Sequence, residues 1–427
     1  ARTAFLAAVA VLAVAVAGAL SGVGDFLRAP VSRPAPVAVP RGSSTTVSGV
    51  LDQQFLSAST WWLEGFTPAG RTVVLGTIDG GRTWRRRLDV PGLRPGSALR
   101  FFDDREGVLI AQPVRSATAL SGTSSRAPLL TYSTRDGGAT WTSTRGTPIA
   151  GDLEMAGFSD LRHGWALAGR GAGGGPAAVL YLTRDGGRRW TRTGPVPGGA
   201  RVLGLRFTSP GVGWLKLSRP NGRPLLRTED GGRTWSTFSL PLPGGGAADW
   251  SVPRLPPVDG AAGGLVAVVA RHGSGAADIC YSGDGGRTWG GPSPGAVIAH
   301  PAGRSGQVYV IGLGSWAVSD GTSVSITDDG GGGWTTNPAP RVPGMVLRAL
   351  DFVTSPTGSP VGFAMFGDTG PGAPAGFLAG SPAGRLAAAV AGSASAGIPG
   401  QRPPLRERLL ETTDEGSSWR AVVLPSP

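Results

Sequence analysis

Short apolar runs alternate with polar turns along most of the chain. A first run ends in a turn, and a second run then begins with glycine followed by an apolar or aromatic residue. LRFFDDREGVLIAQ (Leu99 to Gln112) and LGLRFTSPGVGWLKLS (Leu203 to Ser218) show this phrase clearly. Strands of about five to seven residues, bounded by Gly, Pro, Asp and Ser, predict an all-β fold.

A polar segment of fixed composition recurs after these runs. It reads Ser/Thr-x-Asp-x-Gly-x-x-Trp and occurs seven times, mostly about 45–55 residues apart. Its aspartates are Asp79, Asp136, Asp185, Asp230, Asp284, Asp329 and Asp414, and its tryptophans are Trp84, Trp141, Trp190, Trp235, Trp289, Trp334 and Trp419. Repetition with such a period indicates a repeat architecture.

The composition of the segment predicts a self-contained hairpin turn. The Asp carboxylate can accept hydrogen bonds from backbone N–H groups of the same turn, and the Ser/Thr hydroxyl can bond across it. The glycine two residues after the Asp allows a backbone conformation that is costly for other residues. The tryptophan then starts the next strand and packs beside the hairpin.

Repetition of four short antiparallel strands predicts a propeller. We therefore expect residues 47–427 to form a seven-bladed β-propeller of four-stranded antiparallel blades, with the repeated segment between strands three and four of each blade. The Gly/Ala/Pro-rich stretch 368–405 is interpreted as a low-complexity insertion in the seventh blade.

The first 46 residues differ from the rest. Ala4 to Gly24 is an uncharged apolar stretch long enough to span a bilayer, so residues 1–24 are predicted to be a signal-anchor or transmembrane helix. Residues 25–46 are Pro-rich and predict an extended linker. We expect a single-pass protein of the cell membrane with its propeller extracytoplasmic; secretion after signal cleavage is the alternative.

The chain carries a formal net charge of +12 and a single cysteine, Cys280. One cysteine cannot form an intramolecular disulfide, so the fold depends on packing. Arginine supplies nearly all of the positive charge. Its scattered positions and the export signal argue against nucleic-acid binding, and we expect a monomeric propeller.

The repeated segment resembles the Asp-box, or bacterial neuraminidase repeat, over residues 47–427. In families that share it, the segment is structural and lies at the blade periphery, which implies a structural role for the seven aspartates and tryptophans. FSDLRHGWALAG (Phe158 to Gly169) followed by LTRDGGRRW (Leu182 to Trp190) is similar to repeats of photosystem II assembly factors and their non-photosynthetic relatives. That resemblance implies an exported, non-enzymatic propeller of the sialidase superfamily that binds membrane proteins.

A search for catalytic chemistry finds no convincing set. The three histidines lack metal-ligand spacing, so no metal or cofactor is predicted. No tyrosine follows Tyr309, where a sialidase nucleophile would be expected, and the phrase RIP is missing. A glycoside hydrolase with a carboxylate pair remains the alternative, as does a glycan-binding module. Candidate carboxylates for the hydrolase are Asp52, Asp103, Asp104, Glu154 and Asp351.

Arginines recur in the predicted loops between strands two and three, on the face opposite the repeated segments. Guanidinium groups there could bind carboxylates or phosphates in bidentate fashion. The candidate partner-binding residues are Arg71, Arg115, Arg170, Arg219, Arg223 and Arg271. The sequence therefore favours a non-catalytic, membrane-tethered binding or assembly scaffold. Its expected partner is a membrane or exported protein, one with an acidic segment fitting best.

Overall fold

A computed structural model gives the three-dimensional structure of the protein. It describes residues 35–37, 49–67, 69–91, 93, 98–113, 126–169, 178–196, 202–217, 225–238, 250–251, 265–271, 277–282, 284, 286–293, 307–311, 315–319, 322–329, 332–355, 359–368 and 407–424. The chain divides into two compact units, Ala1–Ala35 and Pro36–Pro427. The predicted membrane segment 1–24, most of the linker 25–46, and the insertion beyond Asp368 lie outside the described residues. In the described part of the chain, no helix is long and apolar enough to cross a membrane.

Every described element is a β-strand, and sheets 1 to 3 come first in the chain. The first strand is β1 (Ala35–Val37). Sheet 1 contains β2 (Gly49–Phe55), β3 (Trp61–Phe66), β4 (Thr72–Thr77) and β5 (Arg85–Val90). Sheet 2 contains β6 (Ala98–Phe101), β7 (Gly107–Ala111), β8 (Arg126–Thr134) and β9 (Trp141–Ala150), with β1 beside β9. Sheet 3 contains β10 (Asp152–Phe158), β11 (Gly164–Gly169), β12 (Val179–Thr183) and β13 (Thr191–Pro195).

Sheets 4 to 7 repeat the same order. Sheet 4 contains β14 (Val202–Phe207), β15 (Gly213–Leu217), β16 (Leu225–Thr228) and β17 (Ser236–Thr237). Sheet 5 contains β18 (Trp250–Ser251), β19 (Leu265–Arg271), β20 (Ala277–Ser282) and β21 (Gly290–Ser293). Sheet 6 contains β22 (Gln307–Val310), β23 (Trp316–Ser319), β24 (Ser323–Thr327) and β25 (Thr335–Pro338). Sheet 7 contains β26 (Met345–Thr354), β27 (Pro360–Asp368), β28 (Glu407–Thr412) and β29 (Arg420–Val422).

The prediction of an all-β propeller is confirmed, but the predicted blade count is wrong. The structure has six four-stranded antiparallel blades, not seven, because sheet 2 gains β1 at its outer edge and becomes five-stranded. This strand comes from the Pro-rich segment that was interpreted as a linker. Each repeated segment lies between the third and fourth strands of its sheet, as the sequence predicts.

The first strand of each sheet lies innermost, since β2 contacts both β6 and β26, and β10 contacts both β6 and β14. Among the described strands, neighbouring sheets are not joined by backbone pairing. Polar side chains connect them near the first strands instead. Gln54 Nε2 donates to the Phe101 carbonyl at 2.7 Å, and its Oε1 accepts from the Phe101 N–H at 2.7 Å. Gln112 connects sheets 2 and 3 in the same way, through Gly151 O and Leu153 N.

The hydrophobic core is divided among the interfaces between adjacent sheets. Trp62 of sheet 1 stacks on Phe101 of sheet 2 with ring centroids 3.7 Å apart. Sheet 7 closes on sheet 1 through Phe363, whose ring stacks on Phe55 at 4.1 Å. Burial of such large rings between sheets supplies the main driving force for docking them. Each sheet is therefore stabilised by its neighbours, as in other repeat folds.

Glycine is required in the repeated turns for two separate reasons. Gly187 has φ +88°, a left-handed conformation that costs other residues about 1–2 kcal/mol. A Cβ at this position would also overlap the side chain of Thr131, which belongs to the preceding sheet. The second glycine of the turn therefore marks the place where one sheet touches the next.

We predict that Gly187→Ala destabilises the protein more than Gly70→Ala does. Gly70 also has positive φ (+72°), but a Cβ there has nothing within 4 Å. Gly70→Ala should therefore cost only the backbone strain, about 1 kcal/mol, whereas Gly187→Ala should cost about 1–3 kcal/mol more through overpacking. Urea unfolding measures both, and equal losses would contradict the close contact between sheets 2 and 3.

Candidate functional site

The six arginines predicted to contact a partner do not form a described cluster. Arg71 donates from Nε to Asp89 Oδ1 at 2.5 Å, and the buried Asp89 carboxylate also accepts from Arg86 Nη1 at 2.6 Å. Arg71 therefore already has an acidic partner within the chain. Arg271 is the last residue of β19, opposite Trp250, so it ends a second strand and does not lie in the loop predicted for it. Arg115, Arg170, Arg219 and Arg223 lie outside the described residues.

The aspartates of the repeated segment accept hydrogen bonds within their own turns. Asp79 Oδ1 accepts from Thr77 Oγ1 and from the Thr83 N–H, each at 2.8 Å, and Oδ2 accepts from Thr83 Oγ1 at 2.5 Å. The Thr77 hydroxyl oxygen accepts in turn from the Gly81 N–H at 3.0 Å. A hydroxyl-to-carboxylate bond of 2.7–2.9 Å recurs at Thr134–Asp136, Thr183–Asp185, Thr228–Asp230, Ser282–Asp284, Thr327–Asp329 and Thr412–Asp414.

These hydrogen bonds keep the carboxylates ionised. The hydroxyl and then the backbone N–H of Thr83 lower the pKa of Asp79 to about 2. The side chain and backbone of Thr234 lower the pKa of Asp230 to about 2, and those of Ser418 do the same for Asp414. A general acid at neutral pH needs a pKa raised towards 7, so these carboxylates are poor proton donors.

The repeated turns also bond to the turns that join first and second strands. The Gly186 N–H donates to the Arg162 carbonyl at 3.0 Å, and the Gly231 N–H donates to the Gly211 carbonyl at 2.9 Å. Gly80 and Gly137 make the equivalent bonds. Both kinds of turn therefore lie on one face of the propeller, which we call the turn face. The sequence does not predict this contact, which is made by the first glycine of each Gly-Gly pair.

The tryptophans of the repeated segments differ in burial. Trp141 and Trp190 are buried, whereas Trp84, Trp235, Trp289, Trp334 and Trp419 are half-buried. Trp84 Nε1 donates to the Val423 carbonyl at 3.1 Å and so joins sheet 1 to the end of sheet 7. Trp141 Nε1 donates within its own turn, to Gly138 O at 3.1 Å. These rings consequently cover the junctions between sheets.

The carboxylates considered for a glycosidase occupy different surroundings. Asp52 is buried, and its Oδ2 accepts from the Leu99 N–H at 3.4 Å across the first-strand junction. Asp103 accepts from the backbone N–H groups of Arg105 and Glu106 in an exposed turn. Glu154 is buried at a bulge of β10, and Asp351 is half-buried in β26, while Asp104 is exposed. Among the described residues, no group of three or more His, Cys, Asp or Glu side chains could hold a metal ion.

A cleft of about 330 Å³ lies on the turn face between sheets 3 and 4. Its walls are formed by His163, Arg184, Pro210, Gly211, Asp230 and Arg233. Trp165, Leu182 and Phe207 line a separate cavity of about 20 Å³ beside it, which shares His163, Arg184 and Pro210 with the cleft. The cationic side chains at its walls make the cleft a candidate site for an anionic ligand.

The acidic groups near the cleft are already occupied. Asp160 Oδ2 lies 2.8 Å from His163 Nδ1, and Oδ1 accepts from the backbone N–H of His163 at 2.8 Å. Asp230 accepts from Thr228 Oγ1, the Thr234 N–H and Thr234 Oγ1. Neither carboxylate forms an ion pair with Arg184 in the described structure.

Comparisons with known proteins give only distant structural similarities. No protein-family model matches the chain, and no curated protein sequence matches it. A structure of YCF48 bound to D1 peptide is 18% identical, covers 78% of this chain and 92% of its own, and has a TM-score of 0.43. YCF48 from Cyanidioschyzon merolae is 17% identical, with coverages of 79% and 97% and a TM-score of 0.40.

An enzyme is also among the similar structures. The GH74 xyloglucanase from Xanthomonas campestris is 17% identical over 87% of this chain, with a TM-score of 0.42. This chain covers 60% of the length of that enzyme. Function is therefore argued from the residues of this chain.

We predict that Asp79→Asn lowers stability at neutral pH and that the difference from the wild type shrinks in acid. Because the folded-state pKa of Asp79 is below its usual 3.8, at about 2, its contribution is complete above pH 4. It is then lost as pH falls from about 4 to 2. Urea unfolding at pH 7, 4 and 3 measures this trend.

Asp104→Asn is the matched control, since Asp104 is an exposed turn aspartate outside the repeated segment. It should change the unfolding free energy little at any of these pH values. A constant difference between Asp79→Asn and the wild type from pH 7 to pH 3 would contradict the proposed role of the ionised carboxylate.

Proposed function

We propose that the protein is a non-catalytic, extracytoplasmic binding or assembly scaffold, held at the membrane by the apolar segment Ala4 to Gly24. Its partner would be a membrane or exported protein with an acidic segment. The repeated turns would be of the Asp-box type and would serve the fold, leaving recognition to the loops on the opposite face. The predicted contact residues are Arg71, Arg115, Arg170, Arg219, Arg223 and Arg271.

The observation that carries this proposal is the fixed strand order of the sheets. Because each sheet runs antiparallel from its first to its fourth strand, the connections between second and third strands emerge opposite the turn face. We call this side the loop face. Several of these connections contain arginine in the sequence, and the proposal assigns those residues to the loop face. Clustered guanidinium groups attract carboxylates over a distance and bind them in bidentate geometry.

Arg71 illustrates the chemistry expected at the loop face. It donates to the carboxylate and to the backbone carbonyl of Asp89, in its own sheet, and its side chain remains 43% exposed. The chain has 40 basic and 28 acidic residues, so the excess of 12 positive charges has no acid in the chain to neutralise it. An acidic partner would supply the missing carboxylates, and the affinity should fall with increasing salt.

Glycoside hydrolysis is the competing hypothesis. Glu154 is its most buried candidate carboxylate, and Asp52, which is nearly as buried, accepts a hydrogen bond from the Leu99 N–H. It would be supported by turnover of any glycan that Glu154→Gln abolishes while the fold is retained. Such a result would replace the scaffold proposal.

We predict that charge reversal of the loop face removes a specific partner. Crosslinking in the native membrane, followed by mass spectrometry, would compare the wild type with the quadruple variant Arg170→Glu, Arg219→Glu, Arg223→Glu and Arg271→Glu. We expect at least one membrane or exported protein to be enriched with the wild type and reduced about tenfold or more in the variant.

The matched control reverses four exposed arginines of the turn face: Arg82, Arg135, Arg188 and Arg287. It changes the net charge equally, so a loss specific to the loop-face variant cannot arise from charge alone. Loss of the partner only in the turn-face control would contradict the chosen face. Absence of any enriched protein with the wild type would contradict the scaffold itself.

A further inference from the structure

The cleft between sheets 3 and 4 contains an arginine, Arg184, whose counterpart in sheet 2 is paired with a glutamate. In sheet 2, Glu106 precedes Gly107 and Arg135 follows Thr134, and these two side chains form an ion pair at 2.5 Å. Gly107 and Thr134 are themselves register partners in the sheet. The turns of sheet 2 are therefore joined by a salt bridge on the turn face.

The same two positions carry different side chains in sheet 3. Gly164 pairs with Thr183, so His163 stands where Glu106 stands, and Arg184 stands where Arg135 stands. Arg184 is exposed, and within the described structure it has no carboxylate partner. The replacement of glutamate by histidine thus leaves a guanidinium group free at the wall of the cleft.

The next sheet does not neutralise this charge. In sheet 4, Glu229 occupies the position that Arg184 occupies in sheet 3, but Glu229 already forms an ion pair with Arg227. Arg233 adds a second guanidinium at the opposite wall, where its Nη1 donates only to a backbone carbonyl, Asp230 O, at 3.3 Å. The Asp230 carboxylate is held by its own turn. The cleft therefore presents two arginines whose charges are not paired with side-chain carboxylates.

The aromatic rings near the cleft line a separate, smaller cavity. Trp165, Leu182 and Phe207 lie in this cavity of about 20 Å³, which shares His163, Arg184 and Pro210 with the cleft. It has room for about one water molecule, so an apolar group would lie in the cleft itself, against Pro210 and Gly211. The cleft volume of about 330 Å³ is at the lower end of the range for small-molecule sites.

We propose that this cleft binds a carboxylate carried on an apolar group, with the carboxylate between Arg184 and Arg233 and the apolar group against Pro210 and Gly211. A planar guanidinium matches the two oxygens of a carboxylate. The same chemistry could come from a free organic acid or from the C-terminal residue of a peptide. The site lies on the turn face and is independent of the loop-face scaffold proposal.

The test is a binding titration of the purified full-length chain in detergent, with binding detected through the NMR signals of the ligand. The probes are 3-phenylpropionate and acetyl-Gly-Gly-Phe, each compared with its uncharged amide. We expect one or both acids to bind and the amides to bind at least about tenfold more weakly, as expected for loss of a charge-assisted hydrogen bond. If only the peptide acid binds, the ligand of the cleft is the C-terminal residue of a peptide. If only 3-phenylpropionate binds, the ligand is a free organic acid.

Three variants locate the site. Arg184→Gln should weaken binding of the acid about tenfold or more, and His163→Glu should do the same because the new carboxylate would pair with Arg184 as Glu106 pairs with Arg135. Arg135→Gln is the matched control at the equivalent position of sheet 2 and should leave binding unchanged. All three positions are on the surface, and thermal unfolding would verify that each variant folds.

The proposal is overturned if neither acid binds the wild type, if the amides bind as well as the acids, or if Arg184→Gln and Arg135→Gln weaken binding equally. Because these measurements use small probes, they are independent of any protein partner. A failure here would leave the crosslinking experiment unaffected, and the reverse also holds.

Discussion

The structure depends on an ionised carboxylate enclosed by its own turn. Each repeated segment offers the aspartate a hydroxyl two residues before it and, in most copies, a hydroxyl and a backbone N–H four residues after it. Satisfied polar groups allow a tight turn to sit against a neighbouring sheet without a desolvation penalty from unpaired donors. The turn thereby fixes the end of the third and fourth strands and brings the second glycine against the preceding sheet.

This arrangement separates the charges that serve the fold from those left for function. Hydrogen bonds within the turns lower the pKa of Asp79 and Asp230 to about 2, and both oxygens of each carboxylate are used within the turn. The arginines next to them are exposed and largely lack such partners. The chain is positively charged because it has 40 basic residues against 28 acidic ones, while the turn carboxylates stay ionised and are held by backbone and hydroxyl groups of their own turns. Binding of anionic ligands is the natural use of such a surface.

The repeated pattern was sufficient to predict the strand order and the place of the turns. Thr77, Asp79 and Gly81 make the hydrogen bonds expected from their spacing. The predicted number of four-stranded blades is wrong because β1 comes from a Pro-rich segment with no strand-like alternation. Its pairing at the edge of sheet 2 depends on tertiary contacts, which composition does not predict. The seventh turn has Glu415 at φ 59°, where earlier turns have glycine, so the pattern tolerates a strained residue there.

The candidate site could be predicted only in part. The sequence predicts that arginines bind the partner, but it does not predict which of them are paired with carboxylates of the same chain. That pairing depends on which side chains face each other across two turns. Arg71 is among the predicted contact residues and is bound to Asp89, whereas Arg184 is not among them and lines the cleft. Only the register of sheets 2 and 3 shows that His163 replaces the glutamate that would have neutralised Arg184. Sequence spacing alone carries no information on such cross-turn partners.

The central claim is that the repeated turns are fixed parts of the fold, and native-state hydrogen exchange tests it most directly. The informative amides are those of Gly81, Gly138, Gly187 and Gly232, each of which donates to the hydroxyl of its own turn. The account predicts that these amides exchange only through unfolding of the sheets, with protection close to that of the central strands. Exchange at the rate of an exposed loop would contradict it, since the turns would then open without disturbing the propeller.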